Sequence, residues 1–250
     1  MTKTAAPMTS GSIWKQMTFF AMPIFLGNLF QQLYNTVDSL IVGNFLGSSA
    51  LAAVSSSGSL IFMLIGFLSG ISAGAGVIVA RFFGAGDEKN LQRAVHTTVA
   101  FGLVAGVLMT GVGVALSPQI LRWMDTPESV MRESVTYLQI YFAGSLGFVM
   151  YNVLVGILQA VGDSRHPLYY LIVSSVINLV LDLLFITGFH TGVGGAAVAT
   201  VISQIVSALL CFWQLLRTKE SYGLKIRKIR FDKGILVQII KIGLPSGVQN

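Results

Sequence analysis

The sequence predicts an all-α polytopic membrane protein, and three observations carry that reading. Of 250 residues, 54% are hydrophobic and only 10% are charged, where a soluble domain has about a quarter charged. The mean hydropathy is +0.75. Apolar runs of membrane-spanning length recur along the whole chain, and none shows the alternating segments of about ten residues that mark a transmembrane barrel.

Six complete spans are expected, at roughly 14–42, 51–80, 94–116, 134–160, 168–188 and 193–216, followed by an apolar run from 235 that is still open at Asn250. The first two exceed the roughly 20 residues a bilayer needs, so they tilt or protrude. In the first, Pro23 removes an i→i−4 hydrogen bond and crowds the Phe19 carbonyl. That predicts a bend, eased by Gly27, which is either static or a moving hinge. The same span carries Asn28, Gln31, Gln32, Asn35 and Asp38. Asn28, Gln31, Asn35 and Asp38 step by three or four, so they form a stripe along one helix face.

The second span places Gly66, Gly70 and Gly74 at four-residue spacing, and the third repeats it with Gly102 and Gly106. Such rows let helix backbones approach closely. Ser55 to Ser59 either line a polar cavity or pack against a neighbour. The stretch Ser117 to Glu133 is expected as an outer interfacial helix or loop. The fifth span adds Asn178 and Asp182, which share a face at i, i+4, and the sixth adds Thr200.

Asp38 and Asp182 are the only acidic residues well inside spans, and no basic residue lies there. An ionised carboxylate at depth costs several kcal/mol unless it is protonated, paired, hydrated or metal-bound, so such residues usually mark function. At about 1.5 Å per residue, both lie roughly 6–9 Å inside the outer ends of outward-running spans, with Thr200 about 10 Å from the same side. A shared site of two carboxyl groups, the Asn178 amide and the Thr200 hydroxyl offers oxygen ligands besides the amide nitrogen. That suits a proton or a hard cation, with Asp38 and Asp182 as metal ligands if the cation is Na⁺, and does not suit zinc. The alternative is two separate structural carboxyl groups. Tyr34, Phe148, Met150 and Tyr151 either line a pocket for aromatic cations or face lipid and packing partners.

Orientation follows from the basic residues. With the N-terminus in the cytoplasm, all of the 16 Lys and Arg residues face inside except Arg122 and Arg132. Most of the excess sits in one juxtamembrane segment, Arg217 to Lys233, so the net charge of +6 reads as topogenic and lipid-facing rather than as a nucleic-acid signal. The expected location is the cell (inner) membrane, multi-pass.

An internal echo sets the domain organisation. AMPIFLGN, Ala21 to Asn28, resembles GLPSGVQN, Gly243 to Asn250, with the proline five residues before the asparagine in both. Six spans between the copies keep them in the same orientation, as in parallel repeats related by an axis along the membrane normal. The expected division is a cytoplasmic tail at 1–13, a six-helix lobe at 14–216, a basic linker at 217–234, and the start of a second lobe at 235–250. The chain then corresponds to one half of a pseudo-twofold, two-lobe protein, and its partners include the missing second lobe.

Several chemistries are excluded. Cys211 is the single cysteine, so neither an internal disulfide nor a thiol metal site is suggested. His96, His166 and His190 do not cluster, and no HExxH, Walker A, GxSxG or CxxC pattern occurs. GAGDEKN lacks the GKS/T of a phosphate loop and reads as a turn at Gly84 and Gly86. The surroundings TVDS and VLDL are not the YD and GxGD signatures of intramembrane aspartyl proteases. No enzymatic function and no cofactor are expected.

These features together resemble the multidrug and toxic compound extrusion (MATE) family. The resemblance is carried by Pro23; QQLYNTVDSLIVGNFLGSSALAAV, Gln31 to Val54; RFFGAGDEKNLQRA, Arg81 to Ala94; GILQAVGDSRHPLYY, Gly156 to Tyr170; NLVLD, Asn178 to Asp182; and GGAAVATVISQ, Gly194 to Gln204. It implies two six-helix lobes around a central cavity and an antiporter that exports amphipathic, often cationic, small molecules in exchange for H⁺ or Na⁺ by alternating access. It also implies that Asp38, Asn178, Asp182 and Thr200 form the coupling site. A competing reading is a lipid-linked precursor flippase of related architecture, which is expected to place basic residues in its cavity. A structural or receptor-like membrane module is a third.

Overall fold

The computed structural model describes residues 13–249. The tail assigned to 1–13, apart from Ile13, and Asn250 of the second echo lie outside them. Eight α-helices follow one another among the described residues: α1 Ile13–Leu46, α2 Ser48–Gly84, α3 Glu88–Trp123, α4 Glu128–Ala143, α5 Ser145–Ala160, α6 Arg165–Leu183, α7 Val193–Arg217 and α8 Lys233–Gln249. A π-helical turn, Leu184–Gly188, extends α6, and a 3-10 turn, Ile226–Lys228, lies between α7 and α8. By length and composition α2, α3, α7 and α6 with its π turn can each cross a membrane, and α4 with α5 supplies a fifth span if the bent pair counts as one. This is a multi-pass helical membrane protein. Helix α1 has the length, at 34 residues, but its amides and Asp38 dilute its apolar character. At 17 residues α8 is shorter than a full span.

Two stretches depart from the sequence expectation. Ser117 to Glu133 is not a separate outer helix or loop. Ser117 to Trp123 completes α3, Glu128 opens α4, and only a turn separates them. Pro118 lies inside α3 and has no N–H for the Val114 carbonyl. That carbonyl instead accepts from Nε2 of Gln139 on α4 at 3.4 Å, and the Ser117 hydroxyl donates to the Gly113 carbonyl at 2.5 Å. Neighbouring side chains thus re-satisfy the backbone that proline frees. The second departure is the run 134–160, which is two helices bent by 50° at Gly144. A Cβ on Gly144 would collide with Val201, and one on Gly147 with Ile205. The bend therefore presses its glycines directly onto α7.

The core has two layers. Ile78, Leu91, Val95, Leu154, Leu158, Leu215 and Ile239 fill one, at the end of the bundle where α7 finishes and α8 starts. Val42, Leu121, Leu138, Ile186, Val193 and Ala197 fill the other, at the opposite end. Large apolar side chains such as Phe62, Leu108, Val176 and Leu209 remain exposed around the bundle, as lipid-facing residues do. The expected glycine row is used. Gly70 faces the backbone at Gly247 and Gly74 faces Gly243, so α2 and α8 touch main chain to main chain. Gly102 and Gly106 of α3 lie against Val153 and Leu146 of α5.

The basic segment between α7 and α8 is strapped to the first turns of α3. Gln92 donates Nε2–H to the carbonyls of Ser221 and of Gly223, the latter at 3.0 Å. His96 donates Nδ1–H to the Gln92 carbonyl at 2.6 Å, which leaves Nε2 to accept the Lys225 N–H at 3.0 Å. The Thr97 hydroxyl accepts from the Asp232 N–H at 3.1 Å and donates to the Arg230 carbonyl at 3.4 Å. Asp232 pairs with Arg93 and caps α8 by accepting the Ile235 N–H at 3.1 Å. The Ile235 N–H and the neighbouring guanidinium hold the Asp232 carboxyl below the usual carboxylate range. Its stabilising contribution is therefore complete above that range and is lost as pH falls through the lowered folded value. Asp232→Ala is expected to lower the melting midpoint by roughly 2–4 °C at neutral pH. The difference from the parent protein should shrink in acid, and an equal difference at all pH values contradicts the cap.

Candidate functional site

Helices α1, α4, α6 and α7 converge in the second core layer. The buried face of α6 carries Ser174, Asn178 and Asp182 at spacings of four. Opposite it, Ala196, Ala199 and Thr200 of α7 are buried and small, which lets the two helices approach closely. Asp182 is 0% exposed, Asn178 1% and Thr200 7%. Asp38 enters from α1, half-buried, and its carboxyl lies within hydrogen-bond reach of Asp182. The Asn178 amide links the group when its Nδ2 donates to Asp182 Oδ2 at 2.8 Å and its Oδ1 accepts from the Thr200 N–H at 3.2 Å. In the opposite orientation Nδ2 donates instead to Thr200 Oγ1 at 3.4 Å. The Thr200 hydroxyl also donates to the Ala196 carbonyl at 3.0 Å, and the Tyr34 phenol lies near Thr200. The four residues predicted to share a site are thus brought together, and Tyr34 stands beside them.

Two further tyrosines close the site. Tyr137 and Tyr141 of α4 are buried and stacked, with ring centroids 6.5 Å apart and planes at 22°. Tyr137 stands close enough to Asp38 and Asp182 to interact with their charge. Sequence reasoning missed both. Their signal was the i, i+4 spacing of two aromatic hydroxyls within one apolar stretch.

The polar stripe on α1 splits. Gln31, Tyr34 and Asp38 face the bundle, whereas Asn28 and Asn35 are exposed. At 3.6 residues per turn, Asn28 and Asn35 sit roughly 60° round the helix from Gln31 and Asp38, at the edge of the packed face. Pro23, Asn28 and Gln31 line a cavity of about 720 Å³ among α1, α2, α5, α6 and α7, together with Tyr151, Asn152 and Gln204. Phe148 also lines it, but Met150 does not. Asn152 and Gln204 were not singled out from sequence. One oxygen of Gln204 is buried without a hydrogen-bond partner among the described residues. Helix α1 runs unbroken through Pro23. The cavity lies along α1 from Phe20 to Gln31, and the carboxyl pair lies one to two turns further towards Leu46.

The donor set fits a proton or a hard cation. Two carboxyl groups this close repel unless a proton or cation lies between them. Asp38 Oδ1 and Asp182 Oδ1 are both buried with no hydrogen-bond partner among the described residues. Orphaned buried acceptors are costly. Protonation or a coordinated cation satisfies them, and carboxylate, amide and hydroxyl oxygens are the ligands a hard cation takes.

Comparison with known proteins agrees with this architecture. A family model described as MatE matches residues 23–184. The probable multidrug resistance protein YoeA of Bacillus subtilis (strain 168) is 35% identical over 244 residues, covering 95% of this chain and 53% of the relative. A solved structure described as the outward-facing conformation of a multidrug resistance MATE family transporter of the MOP superfamily superposes with a TM-score of 0.89 at 27% identity, covering 99% of this chain and 55% of that one. The inward-facing conformation described in the same terms gives 0.80 at 29% identity, covering 87% and 50%. The chain spans about half the length of the curated relatives it matches. The family match begins at Pro23 and takes in Asp38, Asn178 and Asp182, three of the four residues of the buried carboxyl site, and on that match the chain belongs to the MatE family.

Proposed function

We propose that this chain is the N-terminal lobe of a secondary active antiporter, a transporter and not an enzyme. In this reading the protein exports amphipathic, often cationic, small molecules across the cell membrane in exchange for H⁺ or Na⁺, by alternating access. The observation that supports it most strongly is the pair of membrane-embedded carboxyl groups, Asp38 and Asp182, each with an orphaned buried oxygen. Asp38 and Asp182 exchange the coupling ion, Asn178 and Thr200 orient or ligate, and Tyr34 completes the shell. Gln31 and Asn28 belong to the adjoining cavity, and Pro23 lets α1 change its bend when the ion leaves. Asn35, exposed on α1, is assigned to the face that meets the second lobe. Residues 14–216 form the first lobe, 217–234 the linker, and 235–250 begin the second lobe, which supplies the other half of the cavity.

The drug-export descriptions of the relatives support the substrate class. The flippase alternative is disfavoured because the cavity is lined by amides, hydroxyls and apolar groups, with no basic side chain among its described lining residues. The test uses full-length protein in vesicles, with Na⁺ and pH gradients imposed separately. Efflux of a fluorescent cation should follow one gradient, and efflux indifferent to both would sink the antiport reading.

The orientation has its own test. In a Cys211→Ser background, Ser129→Cys and Glu220→Cys place thiols at exposed positions. An impermeant maleimide added outside intact cells should label the first and spare the second. The reverse pattern overturns the cytoplasmic N-terminus.

A further inference from the structure

The strongest feature outside the carboxyl site is a groove of about 900 Å³ between the start of α3 and the α7–α8 segment. Lys89 and Arg93 stand on one wall and Arg227, Lys228 and Arg230 on the other. Its two carboxylates are Glu88 and Asp232, and Asp232 is already engaged by Arg93 and by the cap of α8. Lys89, Arg227, Lys228 and Arg230 form no ion pair among the described residues, although all four are exposed.

Topology alone does not account for this arrangement. A positive-inside bias needs Lys and Arg on one side of the membrane, in any conformation. Here the cations are carried on a backbone fixed by Gln92, His96 and Thr97, and Leu224 N–H donates to the Leu215 carbonyl at 2.9 Å. The charges are therefore gathered around a concave space before any ligand arrives, and such preorganisation favours binding.

Position selects the kind of anion. The groove lies where α7 ends, α8 begins and α3 begins, at one rim of the bundle. Ile226 is 60% exposed and Phe231 46%, and both interleave with the cations on the same segment. A soluble phosphate has no use for exposed apolar side chains beside its site. A lipid does, because its acyl chains begin where its headgroup ends. We propose that this groove binds the phosphate headgroup of an anionic lipid in the adjacent leaflet, with Lys89, Arg227, Lys228 and Arg230 as its cationic contacts. The proposal is independent of which ion or solute the protein moves.

The experiment is native mass spectrometry of the full-length protein in neutral detergent, titrated with phosphatidylglycerol or with phosphatidylcholine of the same chains. Phosphatidylglycerol is expected to bind at least about tenfold tighter. Each cation removed is expected to weaken it about fivefold, so Arg227→Gln/Lys228→Gln/Arg230→Gln should lose roughly 100-fold. Arg227→Lys/Arg230→Lys should keep the preference. Lys89→Gln lies on the opposite wall and makes no hydrogen bond to the strap among the described residues. It should lose about fivefold, and it carries the test if the triple variant fails to fold. Equal binding of the two lipids, or unchanged phosphatidylglycerol affinity in Lys89→Gln or in a folded triple variant, overturns the proposal. So does displacement of phosphatidylglycerol by an equal concentration of inorganic phosphate, which would make the groove a soluble-anion site.

Discussion

Asp38→Asn in the full-length protein is expected to abolish gradient-driven efflux, by at least about tenfold, while leaving expression and insertion intact. Asparagine keeps the volume and hydrogen-bonding capacity of the aspartic acid side chain but cannot exchange a proton or neutralise a cation. The substitution therefore removes ion exchange with little change in packing. Asp182→Asn is expected to do nearly the same, because the proposed ion site needs both carboxyl groups. A ligand shifts a conformational equilibrium only through different affinities for its states. If the pair carries the coupling ion as proposed, removing it leaves that ion no site with different affinities in the two forms. Substrate affinity is expected to change by no more than a few fold, since the cavity proposed for substrate lies one to two turns away along α1. Pro23→Ala is expected to slow turnover more than it weakens substrate binding. The measurements are efflux under a controlled ion gradient, equilibrium binding of the same fluorescent cation, and a thermal melt of each variant. Wild-type, gradient-dependent efflux in both aspartate variants would show that the carboxyl groups are structural.

The site was legible because membrane burial is unforgiving. A carboxyl group or an amide inside a span needs a local reason to be there, so Asp38, Asn178 and Asp182 stood out against an apolar background. The structure gathers them with Thr200 as expected. Tyr137 and Tyr141 were less legible, because tyrosine is at home both in packing and at the interface. The glycine row at Gly70 and Gly74 announced a close helix contact but not the partner, which lies on α8 more than 160 residues later. Gln92, His96 and Thr97 were silent for the same reason: their partners lie between Ser221 and Asp232. Two stretches differ in detail from the sequence reading. The segment expected to leave the third span at Ser117 instead continues α3 to Trp123, where Gln139 of α4 bonds the Val114 carbonyl that Pro118 leaves free. The apolar run 134–160 signalled a single span, and the packing of Gly144 and Gly147 on α7 goes with its bend.

Gly74→Val is expected to separate α2 from α8, with one of the largest effects of any single packing change. At Gly74 the space a side chain would need is occupied by the main chain of Gly243, and backbone cannot step aside as a flexible side chain can. The contact is also reciprocal. A Cβ on Gly243 would lie 2.9 Å from Ile71 Cα, and one on Gly247 would lie 2.8 Å from the Phe67 carbonyl oxygen. No rotamer of valine relieves such a clash, so the helices must move apart and lose contact along the seam. Overpacking of this kind costs about 1–3 kcal/mol and sometimes more, and Gly70→Val/Gly74→Val costs more than either alone because both residues lie on one seam. Gly58→Val is the control, since α2 has open space there and nothing lies within 4 Å of the added Cβ. Thermal melting of the full-length protein should drop for Gly74→Val, drop further for the double variant, and stay near the parent value for Gly58→Val. If, as proposed, α8 begins the second lobe, efflux should fall in the same order. If Gly74→Val melts and transports like Gly58→Val, the main-chain contact between α2 and α8 is absent from the working protein.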